Sequence, residues 1–81
     1  PHTQVLYLAA LPINRIDITG VEMFLRLRRS LQQQGIALHI GGMKLPVEQI
    51  LVRAGALVPG PDLVLYRTDA QALAALQPPP P

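Results

Sequence analysis

The sequence predicts an α/β domain with a small, mostly parallel sheet and helices packed against it. Three short apolar runs have the form of strands, and each is followed by a segment whose apolar residues recur at helical spacing. The resulting order, β-α-β-α-β-α, needs crossover connections, which make successive strands parallel. With 81 residues the chain makes one small domain, which we place at 1–77, followed by a proline tail at 78–81.

The first strand and helix are predicted from an apolar run and a capping pattern. Residues 4–11 form a continuous apolar run of the kind that is buried on both faces of a sheet. Apolar residues then recur at helical spacing over 21–31. Thr19 and Glu22 form a T-x-x-E capping box before this stretch, and Gly35 stands where a glycine commonly ends a helix.

The second strand and helix are bounded by glycine and proline. Residues 36–40 predict a strand, and the two glycines at 41–42 predict a turn. Pro46 suits the first turn of a helix, and Gly55 suits its end. This pair of elements repeats the β-α unit of the first half.

The third strand and helix complete the order. The Pro-Gly-Pro sequence at 59–61 predicts a rigid loop, and Leu63–Tyr66 predicts a short strand. Thr68 and Gln71 form a second capping box, which opens a helix over Asp69–Leu76. The prolines that follow end this helix.

Composition excludes several classes of protein. Apolar residues make up 49% of the chain and charged residues 15%, which excludes intrinsic disorder. No apolar stretch approaches the length of about 18–20 residues that a membrane span requires. The chain has no cysteine and no signal-peptide pattern, so we expect a cytoplasmic location without disulfides.

The charge distribution argues against nucleic-acid binding. The net charge is only +2, and one Phe and two Tyr offer few stacking partners for bases. The basic residues cluster only at Arg26, Arg28 and Arg29. This group predicts a solvated helix face, with steering of acidic partners or of an anionic membrane surface as the alternative.

No catalytic, metal or cofactor pattern is present. The five carboxylates are scattered, and Ser30 is the only serine, so a nucleophilic triad is not credible. His39 has no second ligand at metal-binding spacing and predicts a packed or edge histidine. The glycines at 41–42 match neither phosphate-binding motif. We therefore expect no enzyme activity, no metal and no cofactor.

Residues 11–20, LPINRIDITG, resemble the strand-loop-helix signature of the STAS domain, the family that joins sulphate transporters and anti-sigma factor antagonists. The resemblance covers residues 4–76 and includes the strand start at 35–36, the turn at 46–47 and the Arg-Ala-Gly sequence at 53–55. Family members carry further strands before the first strand seen here. The resemblance therefore implies a domain whose N-terminal strands are missing from this sequence.

What the resemblance implies is a non-enzymatic regulatory and protein-interaction domain. Glu22-Met23 and the Lys44-x-Pro46-Val47 turn look most like the cytoplasmic C-terminal domain of SulP-type anion transporters. Its partner would be the transporter membrane domain or another protomer, and any membrane association would come only through that parent transporter. The alternative is a stand-alone anti-sigma factor antagonist, which binds an anti-sigma factor kinase until it is phosphorylated.

A third possibility is a small nucleotide-binding module, since some family members are thought to bind nucleotides weakly. The absence of a phosphate-binding motif counts against it, but weak nucleotide binding stays open.

The resemblance also implies a partner-binding loop and helix start. The candidate residues are Asn14, Arg15, Asp17, Thr19, Gly20 and Glu22. Thr19 matches the position that a kinase phosphorylates in antagonist-type relatives. Its alternative role is to cap the helix, with its hydroxyl accepting the N–H of Glu22. For Asp17 the alternatives are a hydrogen bond that stabilises the loop and contact with a basic group of a partner.

Overall fold

Over the residues that the structure describes, the architecture is a three-stranded parallel sheet with helices on both faces. A computed structural model describes residues 4–58 and 60–76. In chain order its elements are β1 (Gln4–Ala9), α1 (Ile18–Gln33), β2 (Ile36–Gly41), α2 (Leu45–Arg53), β3 (Leu63–Tyr66) and α3 (Asp69–Leu76). The sheet order is β1-β2-β3 with both pairings parallel, which confirms the predicted fold class. The predicted proline tail and Pro59 of the predicted loop lie outside the described residues.

One face of the sheet, which we call the core face, carries the hydrophobic core. In the parallel register Leu6 pairs with Leu38, and Leu38 pairs with Leu63, so these three side chains point to the same side. α1 and α2 both pack on this face. The buried residues of the core are Ala10, Phe24, Leu31, Leu38, Ile40, Val47, Leu51, Ala56, Leu57 and Leu63.

Strand β1 differs from its prediction in length and in burial. It ends at Ala9 instead of residue 11, and the predicted burial on both faces is wrong. Val5 and Leu6 are 42% and 41% exposed, whereas Leu38 of β2 is 1% exposed. The reason is position in the sheet: among the described residues β1 has a neighbouring strand on one side only, while β2 lies between two strands. An apolar run therefore indicated a strand correctly but not its place in the sheet.

Both predicted glycine helix ends are confirmed. Gly35 follows the C-cap residue of α1, and Gly55 follows the C-cap residue of α2. Their φ angles are 72° and 71°, in the left-handed region that favours glycine.

The prediction that the arginines of α1 form a solvated helix face is wrong for Arg28. Its side chain is buried and donates hydrogen bonds to the carbonyl oxygens of Ala56 at 3.0 Å and Val58 at 2.6 Å. It also pairs with the carboxylate of Asp62 at 3.1 Å. These bonds hold the segment between α2 and β3 against α1. Hydrogen bonding from Arg28 is the main reason that the pKa of Asp62 lies below its usual value.

Helix α3 packs on the opposite face of the sheet, against β2 and β3. The predicted cap by Thr68 is confirmed, since the N–H of Gln71 donates to Thr68 Oγ1 at 3.1 Å, but Gln71 Oε1 accepts the N–H of Arg67, one residue before the cap, at 2.9 Å. The hydroxyl of Tyr7 reaches across β2 and donates to a carboxylate oxygen of Asp69, the first residue of α3. Gly41 makes room for this reach, because a Cβ there would lie 1.8 Å from the Tyr7 hydroxyl oxygen. The hydrogen bond raises the pKa of Tyr7 to about 12.

His39 lies on the same face as Tyr7, half-buried, with its Nδ1 2.9 Å from the hydroxyl oxygen of Tyr66. This confirms the prediction of a packed or edge histidine.

Candidate functional site

The candidate loop, residues 10–17, leaves the carboxyl end of β1 and is tied to the rest of the domain at two points. The N–H of Ala10 donates to the carbonyl of Gly41 at 2.9 Å, which extends the parallel pairing one residue beyond β1. Asn14 accepts a hydrogen bond from the ammonium group of Lys44, just before α2. The loop is therefore held beside the start of α2 as well as the start of α1.

Asp17, and not Thr19, caps α1. The helix begins at Ile18, and the extended Asp17 accepts the N–H of Gly20 on Oδ1 at 2.8 Å. Its carbonyl accepts the N–H of Val21 at 2.9 Å. The prediction that Thr19 caps the helix is wrong, because Thr19 already lies in the first turn. The prediction of a local hydrogen bond from Asp17 is confirmed.

Both Asp and Thr are good N-caps, and the helix starts at the earlier of the two. That start brings Gly20 into the first turn, where Ile16 packs on it. A Cβ at Gly20 would lie 2.8 Å from Ile16 Cγ1, so this contact requires glycine.

A pair of alanine substitutions tests this assignment. We expect Asp17→Ala to lower the free energy of unfolding by about 1 kcal/mol, because the N–H of Gly20 loses its acceptor. We expect Thr19→Ala to change it by less than about 0.5 kcal/mol, because the exposed Thr19 is not the cap. Urea denaturation of both variants measures the difference. A larger loss for Thr19→Ala than for Asp17→Ala would contradict the assignment.

The structure brings the six candidate residues together at one end of the molecule. Five of them are exposed, namely Asn14, Arg15, Asp17, Thr19 and Glu22. Gly20 is half-buried under Ile16. The candidates thus form a largely exposed surface.

Two open grooves flank Ile16 and Asp17 on this surface. The loop groove has a volume of about 600 Å³ and is lined by Ile13, Arg15, Ile16, Asp17, Gly20, Met23 and Phe24. The helix groove has a volume of about 440 Å³ and is lined by Ile16, Asp17, Ile18, Val21, Glu22, Ile50 and Ala54. Ile50 and Ala54 belong to the α2 region, and sequence analysis did not assign them to the site. Only the tertiary structure shows that these two residues lie beside the start of α1.

The side chains of this surface are suited to apolar contacts and ionic interactions. Within residues 4–58 and 60–76, no three His, Asp or Glu side chains are placed to hold a metal ion. Apolar residues are strongly exposed here, with Ile18 at 79% and Met23 at 64%. Exposed apolar groups beside unburied charges are typical of surfaces that bind other proteins.

Comparisons with known proteins give one match. The family model described as STAS domain matches residues 2–71. Neither the comparison with curated proteins nor the comparison with solved structures gave a match. In the part of the chain that the structure describes, none of the helices has the length and hydropathy needed to cross a membrane.

Proposed function

Since the chain belongs to the STAS domain family, whose members are regulatory and interaction modules, we propose that it is the cytoplasmic C-terminal domain of a SulP-type anion transporter. The observation that carries the proposal is the exposed apolar surface at the start of α1, where Ile18, at 79% exposed, lines the same groove as the charged side chains of Asp17 and Glu22. This surface would dock the transporter membrane domain or a neighbouring protomer and so influence transport.

The resemblance of Glu22-Met23 and of the Lys44-x-Pro46-Val47 turn to transporter domains supports this choice. In the structure Lys44 bonds to Asn14, so the transporter-like turn and the candidate loop are neighbours. A partner that contacts one of them is therefore within reach of the other.

The coding sequence upstream of Pro1 tests the proposal. We expect about ten or more apolar segments, each of about 20 residues and long enough to span a membrane. A short upstream segment without such spans would overturn the transporter assignment.

The docking surface is tested in the parent protein by substituting one exposed apolar side chain. We expect Ile18→Glu to weaken docking by about fivefold or more, because a charge replaces an apolar contact residue that is 79% exposed in the isolated domain. Val52→Glu on α2, at 56% exposed and outside both grooves, is the matched control. Anion uptake into proteoliposomes, with cross-linking between the two domains, measures the effect. Equal effects of both variants would contradict a docking role for the α1 start.

A second candidate function is supported by the position of Thr19. Because Asp17 caps the helix, the Thr19 hydroxyl is not used as the cap, and the residue is exposed. This favours a stand-alone anti-sigma factor antagonist that a kinase phosphorylates at Thr19. A phosphate in the first turn is stabilised by the helix dipole and free N–H groups, although Asp17 and Glu22 would repel it.

Mass spectrometry after incubation with an anti-sigma factor kinase and ATP tests the antagonist alternative. We expect one phosphate on the natural chain and none on Thr19→Ala, with Thr68→Ala as the control that still accepts it. Phosphate at another position, or none, would overturn the alternative.

A further inference from the structure

Two carboxylates that form no ion pair with any described residue line the same apolar groove, and we propose that the helix groove binds a protein segment that places an apolar side chain beside a lysine or arginine. This rests on the proposed function, since it names the chemistry of the partner for the same docking surface. The occupant is a basic amphipathic segment of the parent protein's membrane domain.

The carboxylates of the chain are few, and most are already engaged. The sequence contains five. Three have partners within the domain: Asp62 with Arg28, Glu48 with Arg67 at 3.8 Å, and Asp69 with Tyr7. Asp17 and Glu22 form no ion pair with any residue that the structure describes. Both line the helix groove. Asp69 also forms no ion pair among the described residues, but it lies on α3 outside this groove, so the groove holds two of the three carboxylates that lack a cation there.

The floor of the groove is apolar. Ile18 and Val21 of α1 face Ile50 and Ala54 of the α2 region across it. Ile18 and Ile50 are 79% and 41% exposed, so an incoming side chain would bury surface that is now in water. This supplies the contact that an apolar anchor residue of a partner needs.

The carboxylates of Asp17 and Glu22 determine which kind of partner can bind to the apolar floor of the groove. A neutral segment would remove water from the carboxylates of Asp17 and Glu22 without giving them a cation, which costs free energy. An acidic segment would in addition bring like charges together. A lysine or arginine beside the apolar anchor would pair with Asp17 and Glu22. Asp17 uses Oδ1 for the N–H of Gly20, which leaves its second oxygen for such a pair.

The test is a titration of the isotopically labelled chain with two peptides. Both are helical and about 14 residues long, or four turns, with the same leucine spacing. One carries lysine at its polar positions and the other glutamate. We expect the leucine-lysine peptide to shift the amide NMR signals of Ile18, Val21 and Ile50. We expect the leucine-glutamate peptide to bind at least about tenfold more weakly, with the difference decreasing as salt is added.

Variants separate charge from fold. Combining Asp17→Asn with Glu22→Gln should reduce the tenfold preference to about twofold or less. Asparagine caps a helix as well as aspartate, so the fold is kept. Glu48→Gln is the matched control, because Glu48 pairs with Arg67 outside this groove, and it should leave the preference unchanged. Ile50→Lys should weaken binding of the leucine-lysine peptide by adding charge to the apolar floor.

Three results would overturn the inference: equal binding of the two peptides, a preference that survives the double variant, or no binding of either peptide. Binding that shifts only the signals of Ile13 and Met23 would also overturn it, because the loop groove would then be the occupied one. That last result would leave the proposed docking function in place. The upstream coding sequence decides the proposed function separately, so the two failures are distinguishable.

Discussion

Replacing Arg28 with methionine is expected to lower the free energy of unfolding by about 2–3 kcal/mol. Methionine retains much of the apolar stem but none of the donors. The carbonyl of Ala56, in a fully buried residue, would lose its hydrogen bond, and Asp62 would lose its cation. The Ala56 carbonyl accounts for most of this cost, because a buried acceptor left without its donor costs about 1–3 kcal/mol. Asp62 adds little, because its side chain is 25% exposed and also accepts from Gln32. The loss is a substantial part of the stability of a domain of this size, where about 0.05–0.15 kcal/mol per residue is typical.

Arg29→Met is the matched control. Arg29 is the next residue of α1 and is exposed, so we expect a change within about 0.5 kcal/mol. Thermal and urea unfolding of both variants at neutral pH measure the difference. Equal losses of unfolding free energy in the two variants would mean that the buried position of Arg28 contributes nothing to stability.

The acid dependence of the same pair has a definite sign. Hydrogen bonding from Arg28 holds the pKa of Asp62 below its unfolded value. The stabilisation from Asp62 is therefore complete above the unfolded pKa of about 3.9 and is lost as the pH falls through the folded pKa. We expect the difference between the natural chain and Arg28→Met to shrink over that range. The bonds to Ala56 and Val58 do not titrate, so part of the difference should remain.

Leu38→Ala is expected to cost about 2–5 kcal/mol. Leu38 is 1% exposed on the central strand, between the neighbouring strands β1 and β3 and beneath α1. Truncation removes apolar contact and leaves a cavity that the packed core cannot fill. Urea denaturation gives the change in the free energy of unfolding.

Leu6→Ala is the control for this cost. Leu6 is the register partner of Leu38 and lies on the same face of the sheet, but it is 41% exposed at the edge. We expect a loss of about 1 kcal/mol, because much of the side chain is already in water. A loss for Leu6→Ala as large as that for Leu38→Ala would show that the edge of β1 is buried, as the apolar run alone would suggest.

The candidate site around Asp17 and Thr19 was predicted from the resemblance of residues 11–20 to the STAS signature, and its local geometry came only from the structure. Which of the two caps the helix depended on where the helix begins, and the sequence offers an acceptable cap at both positions. In the structure, where α1 begins after Asp17 and before Thr19, Ile16 packs on Gly20. The second wall of the helix groove comes from Ile50 and Ala54, which are far away along the chain.

The sequence by itself determined the order of the elements, the parallel sheet, the glycine ends of α1 and α2 and the Thr68 cap of α3. All of these depend on local periodicity and on residues within a few positions of one another. Only the tertiary structure decided that β1 lies at the edge, that Arg28 is buried and that Tyr7 reaches Asp69 over Gly41. The physical reason is that burial and polar partners depend on what other parts of the chain bring into contact. An apolar strand or an arginine has the same local pattern at the centre of a fold and at its surface.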